Sequence, residues 1–115
     1  MREFRGREQL GEATVARMFR HVVMMKLSET ATDADLTAIV ENLASLPATV
    51  PEILSYSIGR DLGVQDGSFD LVLVADFADQ AAFDAYNENQ THLDVIGTYI
   101  KPVIAQRSAV QYLLE

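Results

Sequence analysis

No cysteine occurs in the 115 residues, so disulfides, thiolate nucleophiles and cysteine-ligated metals are excluded together. Long apolar runs are also missing. Nothing approaches the roughly 20 uninterrupted apolar residues of a membrane-spanning helix, and no N-terminal apolar segment precedes a cleavage site. Positive charge is scarce: 9 Lys and Arg stand against 17 Asp and Glu, for a net charge of -8. That balance repels phosphate backbones and anionic lipid unless a compact basic patch offsets it, and the cations here are scattered. The chain therefore reads as a soluble cytoplasmic protein with neither nucleic acid nor membrane as a partner. There is no dinucleotide fingerprint, no phosphate loop in "GRDLG", no serine beside a suitable base and no His-Glu-x-x-His spacing.

What is present is a chain that is 49% hydrophobic, enough for one domain with a single core. Residues 1–17 differ from the rest. Arg2, Arg5, Arg7 and Arg17 against Glu3, Glu8 and Glu12 give +1, which leaves -9 for the remainder. With few apolar residues and two glycines, this stretch cannot offset its ordering entropy and reads as an N-terminal arm. The domain then runs from 18 to 115, and Met18 is an alternative start.

Residues 18–27, "MFRHVVMMKL", are short, apolar and rich in valine, as a strand requires, with His21, Val23 and Met25 on one side. The period then changes. Leu36, Ile39, Val40, Leu43 and Leu46 fall on one helical face, Thr32 can cap its start and Pro47 can end it. "EILSYSIGRDLG" predicts a second strand, and the Asp-Gly of "VQDGS" predicts a hairpin turn into a third, "FDLVLVADF". That strand places Phe69, Leu71, Leu73, Ala75 and Phe77 on one side. Asp79 can cap a second helix whose face includes Phe83, Tyr86 and, past a break, Leu93. "KPVIAQRSAVQYLL" predicts the closing strand.

Strand, helix, strand, strand, helix, strand is the ferredoxin-like α+β order, with both helices on one face of an antiparallel sheet. The helices leave the other face bare. Val22 and Met24 on the first strand, with Val72 and Val74 on the third, make an apolar patch there, and such patches usually mark interfaces. A second copy presenting the same patch would cover it, which predicts a homodimer packed sheet to sheet.

The residues "FRHVVMMKL", "SLPATVPEILSYSIGRDLG", "FDLVLVADFADQAAFDAYNENQTH" and "KPV" together resemble the stress-responsive A/B barrel domain, the Dabb or dimeric α/β barrel family. The resemblance covers nearly the whole chain apart from the arm. It implies a dimeric barrel and, by position, a catalytic pair in Tyr86 and His92, as in polyketide cyclase members of the family. It also implies a pocket that includes His21, together with Val23, Met25, Leu71 and Leu73. The family ending Tyr-x-x-His-Pro-x-His is incomplete here, because Asn89 replaces the first histidine and Gln90 the proline.

Proton abstraction beside a carbonyl needs a neutral base, which a histidine of ordinary pKa near 6.5 supplies, and a donor for the developing enolate, which a phenol supplies. His92 would be the base and Tyr86 its orienting donor. Six residues exceed one and a half helical turns and would separate them, so the chain must bend at the poorly helical "NENQ". Neither residue is then expected to be a principal core contact. Structural readings stand beside these: His21 and His92 as histidines with structural hydrogen bonds, and Tyr86 as a core residue with its hydroxyl at the edge. A metal held by the histidines with Glu88 or Asp94 lacks ligand spacing, and haem lacks a convincing axial ligand, so no cofactor is expected. Two functions follow. One is a small-molecule-binding, stress-associated homodimer without turnover, the other a cofactor-independent cyclase or isomerase acting on a small carbonyl-containing ligand.

Overall fold

The computed structural model describes residues 17–115, so the predicted arm lies, but for Arg17, outside the described residues. β1 (Phe19–Leu27) alternates as its sequence does: His21, Val23 and Met25 are buried, while Val22 is half-buried and Met24 exposed. In α1 (Asp33–Ala44) the Thr32 hydroxyl accepts the Asp35 N–H at 3.1 Å, and the Asp35 carboxylate accepts the Thr32 N–H at 2.9 Å. This reciprocal cap satisfies donors that the first turn would otherwise leave free. Ile39 and Leu43 bury the helix against the sheet, and Pro47 sits in a 3-10 turn, Leu46–Ala48, that follows it.

β2 (Ser55–Arg60) and β3 (Leu71–Phe77) pair antiparallel, from Ser55 opposite Asp76 to Arg60 opposite Leu71. The connection is longer than the predicted tight turn. Residues 61–70 form a loop closed by the Asp61 N–H on the Asp70 carbonyl at 2.9 Å, with Gly63 and Gly67 at φ 76° and 85°. Two left-handed glycines permit that path without strain. Phe69 therefore precedes β3 instead of opening it, and Leu54, predicted inside the second strand, is exposed just before β2.

Asp79 caps α2 (Gln80–Glu88) by accepting the Ala82 N–H. The helix stops at Asn89, whose extended backbone (φ -65°, ψ 130°) ends one helix and whose side chain caps the next, α3 (Gln90–Val95). The predicted second helix is thus two helices. A change of axis at Asn89 turns His92 and Val95 inward and leaves Leu93 exposed, so Leu93 does not share the buried face predicted for it. The chain then widens into a π-helical turn, Ile96–Ile100, closed by the Lys101 N–H on the Ile96 carbonyl. β4 (Ile104–Leu113) follows, three residues later than predicted.

The sheet order is β2-β3-β1-β4, antiparallel throughout, which makes this a ferredoxin-like α+β fold with the helices on one face. Val23, Leu73, Ala75, Phe77 and Tyr86 lie in the core between the layers. The opposite face carries Val22, Val72 and Val74, half-buried, with Met24, Val110 and Tyr112 exposed. At one end of this band the Arg20 guanidinium grips Asp76 through two bonds of 2.7 and 2.8 Å, and Ser55 donates a third at 2.7 Å. Arg20 holds the Asp76 carboxyl well below the usual carboxylate range.

Candidate functional site

A cavity of about 170 Å³ opens between the sheet and the helices. His21, Val23 and Met25 of β1 and Leu73 of β3 form its floor, and Leu43 of α1 a wall. Tyr86 of α2 and His92 of α3 enter from either side of the Asn89 break. The π turn supplies Ile96 and Ile100, and β4 supplies Ile104 and Arg107, with Lys101 between them. Leu71, predicted as a lining residue, is buried in the core and does not reach the cavity. Leu73, two residues further along the same strand, does reach it, so the cavity takes in only part of the inner face of β3.

Tyr86 and His92 meet, and the Asn89 cap explains how. The Asn89 side-chain oxygen Oδ1 accepts the Thr91 and His92 N–H groups at 2.9 and 3.3 Å, which starts a new helix in a new direction. The two rings lie 4.1 Å apart and are tilted by 33°. They stack; they do not form the donor-to-base hydrogen bond predicted from the sequence. The Tyr86 hydroxyl instead bonds the Tyr56 hydroxyl at 2.8 Å, a partner that the alternation of β2 placed on the inner face without marking it. Both residues are also core contacts, contrary to expectation: Tyr86 is 1% exposed and packs on Phe77, and His92 is 6% exposed.

Both imidazoles are held neutral at physiological pH. Burial and the nearby cations Arg107 and, when charged, His92 depress the His21 pKa to about 4. Burial also lowers that of His92, with Arg107 acting in the same sense and the backbone at Asn87 and Tyr86 opposing. The Gln111 side-chain amide reaches His21 Nδ1 at 2.9 Å. An amide nitrogen only donates, so Nδ1 accepts and the ring proton sits on Nε2. His92 Nδ1 is buried without a hydrogen-bond partner among the described residues. Such a group costs about 1–3 kcal/mol.

Arg107, Lys101 and Gln111 were not foreseen. Arg107 and Gln111 share one side of β4, opposite Met25 and His21 of β1, and that pairing follows from strand order and not from any local pattern. Glu88 and Asp94, weighed as metal partners of the histidines, form no ligand cluster with them among the described residues. No helix among those residues is long and apolar enough to cross a membrane.

Comparison with known proteins agrees with this architecture. The family model of the stress responsive A/B barrel domain, Dabb, matches residues 19–113. A dimeric ferredoxin-like protein of unknown function from Thermobifida fusca is 32% identical, with a TM-score of 0.79 over 86% of this chain and 92% of that one. A Dabb family protein with a ferredoxin-like fold from Mesorhizobium loti is 17% identical, with a TM-score of 0.72 over 86% and 98%. A hydroxynitrile lyase from Passiflora edulis is also 17% identical, with a TM-score of 0.77 over 88% and 96%, a likeness of fold alone. No curated protein matches the sequence.

Proposed function

The chain belongs to the stress responsive A/B barrel domain family, and we propose that it is a homodimer whose cavity binds a small carbonyl compound and moves a proton on it without a cofactor. One observation carries the reading: two imidazoles, both kept neutral by burial, line one largely apolar cavity. His92 is the base. His21, with its Nδ1 occupied by Gln111, offers Nε2–H to the carbonyl oxygen, where negative charge develops as the proton leaves. Tyr86 packs against the base and holds its ring in place.

Volume limits the substrate. A cavity of about 150 Å³ accepts benzene, whereas drug-sized ligands occupy roughly 300–1,000 Å³. At about 170 Å³ this one suits a compound of one ring's size, and a long polyketide would have to project from the mouth. A hydroxynitrile lyase on the same fold is compatible with proton-transfer chemistry. Binding without turnover is the second reading, favoured by the Tyr86 hydroxyl being engaged with Tyr56.

The dimer reading rests on the open apolar face and on relatives described as dimeric, one of them 32% identical. The chemistry is tested by proton NMR of cyclohexanone in D2O: the protein should accelerate loss of the α-protons, and His92→Gln should reduce that rate about 10²-fold or more. Because the His92 pKa lies below its ordinary value, the wild-type rate should persist through pH 6.5 and fall only in more acid solution. Binding without any exchange above that of free imidazole would select the second reading.

A further inference from the structure

We infer that the cavity's natural ligand is an anion, a carboxylate of about one ring's size, anchored at the rim by Arg107 with support from Lys101. The inference rests on the reading above that the cavity is a ligand site, and it adds the ligand's charge.

The distribution of charge leads to it. Carboxylates outnumber cations almost two to one in this chain, yet none lines the cavity. Among the described residues Arg20 engages Asp76, Arg60 engages Asp33 at 2.6 Å and Lys26 engages the Ser68 carbonyl, while Arg17 does not line the cavity. Lys101 and Arg107 have no side-chain partner among the described residues, and both line the cavity while remaining exposed to solvent. An acidic protein that leaves two cations unpaired at the mouth of an apolar pocket repels anions generally and concentrates them at one place. Arg107 also acts inward, since it contributes to the lowering of both histidine pKa values.

The spacing fits a short ligand. Arg107 pairs with Met25 and His21 lies four residues along the same strand, so their backbones are roughly 13 Å apart at 3.2–3.4 Å per residue. A long arginine, one ring and an imidazole bridge that interval. The guanidinium fork takes a carboxylate through two parallel bonds, a geometry that a neutral amide cannot match. A carboxylate held there leaves the far end of the ligand toward the imidazoles.

Benzoate and benzamide have the same shape and differ in charge, so titrating each into the full-length protein by ligand-observed NMR isolates the anchor. Benzoate should bind at least tenfold more tightly at low ionic strength, with the difference shrinking in 0.5 M salt by screening, roughly as a 4–5 Å Debye length implies. Arg107→Gln should remove most of the preference, leaving only the part that Lys101 supplies. Arg107→Lys should restore part of it, showing that the strand still folds, and Lys101→Gln should cost a smaller factor. Equal or tighter binding of benzamide, or a preference that Arg107→Gln leaves undiminished, overturns the inference while leaving the cavity reading intact. If neither compound binds, both readings fall.

Discussion

The helix-covered face of the sheet and its open face draw on alternate residues of the same strands, yet they end in different states. Toward the helices β1 sends His21, Val23 and Met25, all at most 4% exposed, and they bound a cavity. Toward the open side it sends Val22 and Met24, the latter 42% exposed, beside Val110 at 54%. On the first face, polar groups are enclosed and their pKa values move. On the second, apolar groups face solvent with nothing from the described residues over them. Burial is complete where the proposed chemistry would need a dry site and withheld where a proposed second subunit would complete it. The difference shows that one period-two pattern assigns two tasks, and that each can be disturbed without the other.

The largest expected effect is on the open face. Val74→Asp places a carboxylate without a partner in the middle of the apolar band, which should weaken the proposed dimer by about 3–5 kcal/mol, or 10²-fold or more. Sedimentation velocity on a dilution series would show monomer at micromolar concentration, while the near-ultraviolet spectrum of the buried tyrosines stays unchanged. A wild-type chain that is already monomeric would remove the open face's assigned task.

Next comes the covered face. Tyr86→Ala should cost about 3–5 kcal/mol in urea unfolding, because it empties a site packed against Phe77, Phe83 and His92. Tyr86→Phe removes only the bond to the half-exposed Tyr56 hydroxyl and should cost about 1 kcal/mol. Equal losses for the two variants would mean that the hydroxyl pair, and not ring packing, holds this corner together.

The elements and the two faces were legible because hydrophobic period is local: alternation marked β1 and β3, and the 3.6-residue repeat marked α1 with its Thr32 cap. The bend between Tyr86 and His92 was legible in the polar residues at 87–90. Other parts of the site were not. Gln111 and Arg107 reach it through the pairing of β4 with β1, a contact across most of the chain that no window of sequence displays. Leu71 was misplaced because parity fixes the face of a strand and not how far along that face a cavity extends: Leu73 lines it and Leu71 does not. Leu93 was misplaced because the capping at Asn89 resets the helical phase.

A third effect separates the faces by pH. His21 has a folded pKa of about 4 against an ordinary 6.5, so below pH 6.5 the unfolded chain takes up a proton that the native chain refuses. Its contribution is therefore fully present above pH 6.5 and is lost progressively as pH falls toward 4. Allowing for solvent screening at an open cavity, the loss is on the order of 1–2 kcal/mol. Urea titrations at pH 7.5 and 4.5 should show it, and His21→Gln should flatten the difference by that amount. The proposed dimerisation through the other face should not acquire the same dependence on His21.

The smallest effect tests the bend itself. Gln90 opens α3, a position at which a helix needs no N–H donor, and Asn89 before it already has the extended backbone that a following proline demands. Gln90→Pro should therefore be accepted, losing only the exposed bond from Gln90 to Asp94 and gaining about 0.4–1 kcal/mol by narrowing the unfolded ensemble. The break between Tyr86 and His92 would then be enforced covalently, so ligand affinity at the cavity should hold or rise slightly while the open face is untouched. A loss of stability in urea unfolding would mean that the chain at Asn89 is held by the side-chain cap alone and that its backbone is not prepared for the turn.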